Sequence, residues 1–114
     1  MQPTTVNLPD HTLGDTWEGV TIGPIVIDGA APAYPVVSCE LQVTRNGAVE
    51  YELNNAPGAG EGTVVINNAA LWTFTVAPLI LGVSEAAKYK WRFRATDSAG
   101  TVRTFYRGDW KITE

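Results

Sequence analysis

One histidine, His11, and one cysteine, Cys39, limit the chemistry open to this chain. A hydrolytic triad needs a nucleophile, a base and an orienting acid held together. His11, flanked by Pro9, Asp10 and Thr12, reads instead as a lone surface histidine. The solitary Cys39 excludes an internal disulfide framework and a cysteine metal cluster, and with one histidine beside it the usual zinc ligand sets are missing. Asp15 and Glu18 are three residues apart, so on an extended strand they point to opposite faces. Twelve acidic residues leave paired-carboxylate glycosidase chemistry open in principle, but no spacing marks a pair. The run GAGEG at 58–62 has the glycines of a phosphate loop without its lysine or its following helix. Flanked by Asn54, Asn55 and Pro57, it reads as a long mobile loop, and Glu61 alone cannot build a calcium site. The expectation is a non-enzyme with no cofactor and no metal.

Charge is distributed unevenly. Residues 1–87 carry nine acids and one base, Arg45, whereas residues 88–114 carry seven bases and three acids. Those two stretches sum to −8 and +4, giving the net charge of −4, which argues against general nucleic-acid binding. The cationic last quarter must therefore face something, whether acids of its own chain or a partner. At 114 residues the chain suits one domain able to bury a core without staples. The opening MQPTTVNLPDHTLGD has no basic or apolar leader pattern, and no run approaches 18 apolar residues. A soluble cytosolic product, with no membrane partner, is expected.

The elements that must position these charges read as strands. In YKWRFRAT, 89–96, Tyr89, Trp91, Phe93 and Ala95 share one face while Lys90, Arg92, Arg94 and Thr96 share the other. DSAG at 97–100 is turn chemistry, and TVRTFYRGDWKIT completes a hairpin over 89–112. A two-residue loop at Ser98–Ala99 sets Trp91 opposite Tyr106, Phe93 opposite Thr104 and Ala95 opposite Val102. Gly108 then marks a bend or bulge. A second hairpin, 38–53, turns at Asn46–Gly47. Only a three-residue loop keeps carboxylates off its apolar side, pairing Val43 with Tyr51, Leu41 with Leu53, Gln42 with Glu52 and Thr44 with Glu50. TVVI at 63–66 and LWTFTV at 71–76 are further strands. WEGVTIGPIVID, 17–28, suits an edge strand broken at Gly23–Pro24. VSEAAK, 83–88, is the one helix-like window, too short to stand alone. About seven strands at such spacing predict an all-β, antiparallel β-sandwich of immunoglobulin-like type over 13–114.

In that register Lys90, Arg92, Arg94, Arg103, Phe105 and Arg107 share the solvent side of the 89–112 hairpin: a cationic face with one ring, suited to protein contact. Arg94 opposite Arg103 and Lys90 opposite Arg107 are like-charge pairs that cost stability unless acids intervene. Glu40, Glu50 and Glu52 can supply those acids within the chain, or a neighbouring subunit can supply them. Trp72, Trp91 and Trp110 fall on apolar faces and read as core. Trp17, Tyr34 and Phe105 are less committed and form the candidate platform for a glycan.

The order LGDT (13–16), DG (28–29), VSCELQVTRNG (37–47), a glycine-rich break, LWTFTVAP (71–78) and KYKWRFRATDSAGTVRTFYRGDWKIT (88–113) resembles the immunoglobulin-like domains of tailed-phage virion proteins, particularly the N-terminal domain of baseplate upper proteins. The resemblance covers about residues 13–113. It implies a virion structural protein, made in the host cytoplasm, that acts by binding other virion proteins, in the tail baseplate or as capsid-surface decoration, and as a homo-oligomer within the particle. Residues 1–12, rich in Thr, Pro and Asn, have little to bury and are expected as a flexible arm. The alternative is a carbohydrate-binding module for host-surface recognition.

Overall fold

The computed structural model describes residues 4–27, 29–55 and 62–114, so most of the GAGEG loop expected at 58–62 lies outside the described residues. No helix occurs among them. The strands are Thr4–Thr5 (β1), Leu8–Thr12 (β2), Thr16–Trp17 (β3), Val20–Ile22 (β4), Val36–Arg45 (β5), Ala48–Asn54 (β6), Gly62–Asn68 (β7), Thr73–Val76 (β8), Leu79–Ile80 (β9), Ala87–Asp97 (β10) and Val102–Thr113 (β11). The all-β expectation holds. The expected count of about seven does not, because two- and three-residue pairings such as β1, β3, β4 and β9 leave no periodicity to read.

The main path runs β1-β11-β10-β5-β6-β7-β8-β4, with β2 also on β11, and β3 pairs separately with β9. The pairing is mixed rather than purely antiparallel: β1 and β2 run parallel to β11, and β6 runs parallel to β7. The path doubles back on itself. β8 lies four strand positions from β10, about 19 Å in a flat sheet, yet Phe74 of β8 meets Phe93 of β10 with ring centroids 4.9 Å apart. Two layers therefore face each other across a core that includes Leu41, Val43, Leu53, Val64, Phe74, Phe93 and Phe105.

Both long hairpins form, each with a bulge the sequence did not announce. In β5–β6 the pairs Leu41↔Leu53, Gln42↔Glu52 and Val43↔Tyr51 are as expected. The loop is not. Asn46 and Gly47 both have positive φ, 53° and 81°, as a two-residue type I′ turn requires. Glu50 is then bulged out, so Thr44 pairs with Val49.

In β10–β11 the turn is longer than expected: the Asp97 amide donates to the Thr101 carbonyl, and Asp97 Oδ1 accepts from the Ala99 and Thr101 amides, each at 3.0 Å. Thr96 pairs with Val102, Ala95 with Arg103 and Arg94 with Thr104, whereas Phe93 pairs with Tyr106 and Trp91 with Gly108. Phe105 is the extra residue. The expected register is shifted by one place next to the turn and by two places beyond the bulge, and the irregularity sits at Phe105 rather than Gly108.

Residues 4–12, part of the stretch expected as a flexible arm that orders on docking, lie along β11. The Val6 amide donates to the Arg107 carbonyl at 2.8 Å, and the indoles of Trp91 and Trp110 donate to the carbonyls of Val6 and Pro9 at 2.7 and 3.1 Å. Gly108 permits the close approach, since a Cβ there would stand 1.9 Å from the Val6 carbonyl oxygen. As expected, Gly23–Pro24 ends the edge strand β4. Trp72 sits in the turn before β8 rather than in a strand, with φ 56° and its indole donating to the Tyr34 carbonyl.

Candidate functional site

The outer face of β6-β5-β10-β11 carries most of the charged residues singled out from sequence. Lys88, Lys90, Arg92 and Arg94 alternate along β10 with the buried Tyr89, Trp91, Phe93 and Ala95. Toward β5, each arginine finds an acceptor. Arg94 Nε meets Glu40 Oε1 at 2.6 Å, and Arg92 Nε donates to Gln42 Oε1 at 2.6 Å. Gln42, buried at 4% exposure, passes the interaction on by donating to Glu52 Oε1 at 2.7 Å, and Asn54 holds the other carboxylate oxygen at 3.0 Å. A buried amide with both ends engaged fixes the side chains on either side of it.

Toward β11 the same face is different. Lys90 pairs with Asp109 at 2.9 Å, but on either side of it Lys88 stands opposite Lys111 and Arg92 opposite Arg107. Among the described residues no carboxylate lies within ion-pair distance of Lys88, Arg92, Arg107 or Lys111. Two like-charge pairs thus flank one neutral pair, and from Lys88 to Arg92 the strip is about 13 Å long at the strand rise.

Two residues expected on this face are elsewhere. The longer turn carries Phe105 into the core, 2% exposed and 5.4 Å from Trp72 centroid to centroid. A one-place slip changes the face that each following residue presents, so Arg103, opposite Ala95, leaves the plane of Arg92 and Arg94. It lines a cavity of about 290 Å³ with Tyr34, Trp72, Asp97 and Thr101. The expected like pairs Arg94–Arg103 and Lys90–Arg107 are accordingly replaced by Arg94↔Thr104 and Lys90↔Asp109. Sequence reading missed Lys88 and Lys111. Lys88 stood one step before the alternating segment 89–96, and Lys111 stood in the alternation of Trp110, Lys111 and Ile112 at the end of the hairpin.

The glycan platform of Trp17, Tyr34 and Phe105 does not assemble. Trp17 packs on Trp110 at 4.8 Å, Phe105 is buried, and Tyr34 alone stays exposed at the 290 Å³ cavity. Trp72, Trp91 and Trp110 are core residues, as read.

Ionisable groups elsewhere have structural surroundings. Burial, with the Glu40 charge adding, pushes the Cys39 thiol up to about 12, so it is a protonated core side chain. Arg45 binds Glu85 and Glu50 and lies 5.4 Å from the Tyr89 ring centroid. Tyr89 donates to the Glu85 carbonyl at 2.7 Å, and burial raises its phenol above the ordinary range. His11 Nε2 lies 3.0 Å from the Asp15 carbonyl oxygen. No group of three or more His, Cys, Asp or Glu among the described residues is placed to hold a metal ion. Comparison with family models, with curated proteins and with solved structures finds no match.

Proposed function

We propose that the chain is a structural protein of a phage virion, built on an immunoglobulin-like β-sandwich, that works by binding other virion proteins and not by catalysis. The observation that carries the docking part is the pair of unneutralised like-charge pairs, Lys88↔Lys111 and Arg92↔Arg107, on a long, well-paired hairpin. Such pairs cost stability in the isolated chain and are offset when a partner brings carboxylates. The phage assignment rests on the resemblance in motif order over 13–113. The surface now proposed is Lys88, Arg92, Arg107 and Lys111, since Arg94 is engaged by Glu40 and Arg103 faces the other way. Reversing Lys88, Arg107 and Lys111 together to Glu should leave the β spectrum and Trp fluorescence intact while removing the chain from purified particles, as read by peptide mass spectrometry. Normal incorporation of that variant sinks the face as the docking surface.

The carbohydrate reading keeps one supporting observation. Tyr34, 53% exposed, and Arg103 line one cavity of about 290 Å³, room for a small sugar residue.

A further inference from the structure

The edge of β11 is a slot for an extended strand, filled by residues 4–12. What holds that strand is mostly backbone. Thr4, Thr5, Val6, Asn7, Pro9 and Asp10 are all exposed, and Leu8 is the one apolar side chain among residues 4–12 that packs against the core. Besides Leu8 there is a run of directed bonds: Val6 N–H to the Arg107 carbonyl, the Trp91 and Trp110 indoles to the Val6 and Pro9 carbonyls, and the Asp109 amide to Asn7 Oδ1 at 3.0 Å. Gly108 is the floor of the slot, where any side chain would strike Val6. An empty slot strands two indole N–H groups and the edge of β11, a cost that any occupant with the right carbonyl spacing removes.

The strand leaves the slot through Leu13–Asp15. Gly14 there has φ 86° with open space around it, and three residues extended span about 10 Å. Nothing in the slot contacts distinguishes this chain's own strand from the same strand of another copy. The two arrangements make identical bonds and differ in the link alone.

We propose that residues 4–12 exchange between copies, so that the β11 slot of one molecule takes the N-terminal strand of a second molecule. The occupant is a second copy of this chain, and the charged face of β10–β11 takes no part. High local concentration, as in any assembled array, favours the exchanged form.

Thr5 and Arg107 are register partners and both are exposed, which allows a direct test. One batch carries Thr5→Cys and another Arg107→Cys; Cys39 is buried and does not compete. Neither variant can link within itself at these positions. Mixed and treated with a short bis-maleimide, they should give the mixed cross-link in about fivefold or greater excess over either like-with-like product, as expected for a trans-paired strand. Adding Gly108→Ala to the Arg107→Cys chain should abolish the excess. A statistical product ratio, or an excess indifferent to Gly108→Ala, overturns strand exchange. Both single substitutions are at exposed positions, and unchanged Trp fluorescence verifies their fold. The readout uses purified protein without particles, so its failure is separate from failure of the virion reading.

Discussion

The two seams of β10 on one outer face follow opposite rules. Across the β5 seam each arginine meets an acceptor, Glu40 for Arg94 and Gln42 for Arg92, and the amide of Gln42 extends the chain of bonds to Glu52. Across the β11 seam arginine faces arginine and lysine faces lysine, with the Lys90–Asp109 pair between them. The first arrangement makes the sheet coherent. The second leaves charge uncompensated a few ångströms away, on equally regular strands, so the difference lies in residue choice and not in fold quality. Cationic composition by itself therefore identifies no interface; the neighbours in register do.

The comparison can be broken most strongly at Gln42. Replacing it with Leu removes the link between Arg92 and Glu52 while keeping bulk, and should cost about 2–3 kcal/mol because two half-buried charged groups lose their partner. Urea denaturation measures this, and a loss near zero would make the β5 seam as incidental as any surface. Glu40→Ala tests the same seam where the pair is more open, with side chains 35% and 26% exposed. Screening there limits the loss to about 1 kcal/mol, smaller still in high salt. Arg107→Thr probes the β11 seam and should show the opposite sign, a gain of roughly 0.3 kcal/mol at low salt as Arg92 is relieved of its like-charged neighbour. A loss of stability in thermal melts of that variant would mean Arg107 has a structural partner and the two seams do not differ.

Much of this face was legible in the residues, because period-2 alternation in 89–96 sorted rings from guanidinium groups and the carboxylates at 50 and 52 excluded one register of the second hairpin. What escaped was positional. Phe105 and Tyr106 are adjacent rings, so either can satisfy an apolar face, and the sequence does not say that a bulge turns both inward. Arg103, between the turn and the bulge, was misplaced by the longer turn, which shifts its pairing by one place. At Asn46–Gly47 the turn residues and the pairing pattern seemed to demand different loop lengths, and the bulge at Glu50 accommodates both. Residues 4–12 looked uncommitted because their side chains are mostly polar or small. Their partners are main-chain groups and indoles about a hundred positions away, which no local pattern encodes.

That separation has a kinetic consequence. β1 and β2 precede their partner β11 by about a hundred residues, so the entropy of closing that long loop must be met before the pairing is rewarded. The hairpins, closed by short turns, can form while residues 4–12 still wait. Residues 4–12 are thus the last of these strands to find their place, and during that delay the waiting carbonyls and indoles are open to whichever neighbour arrives first.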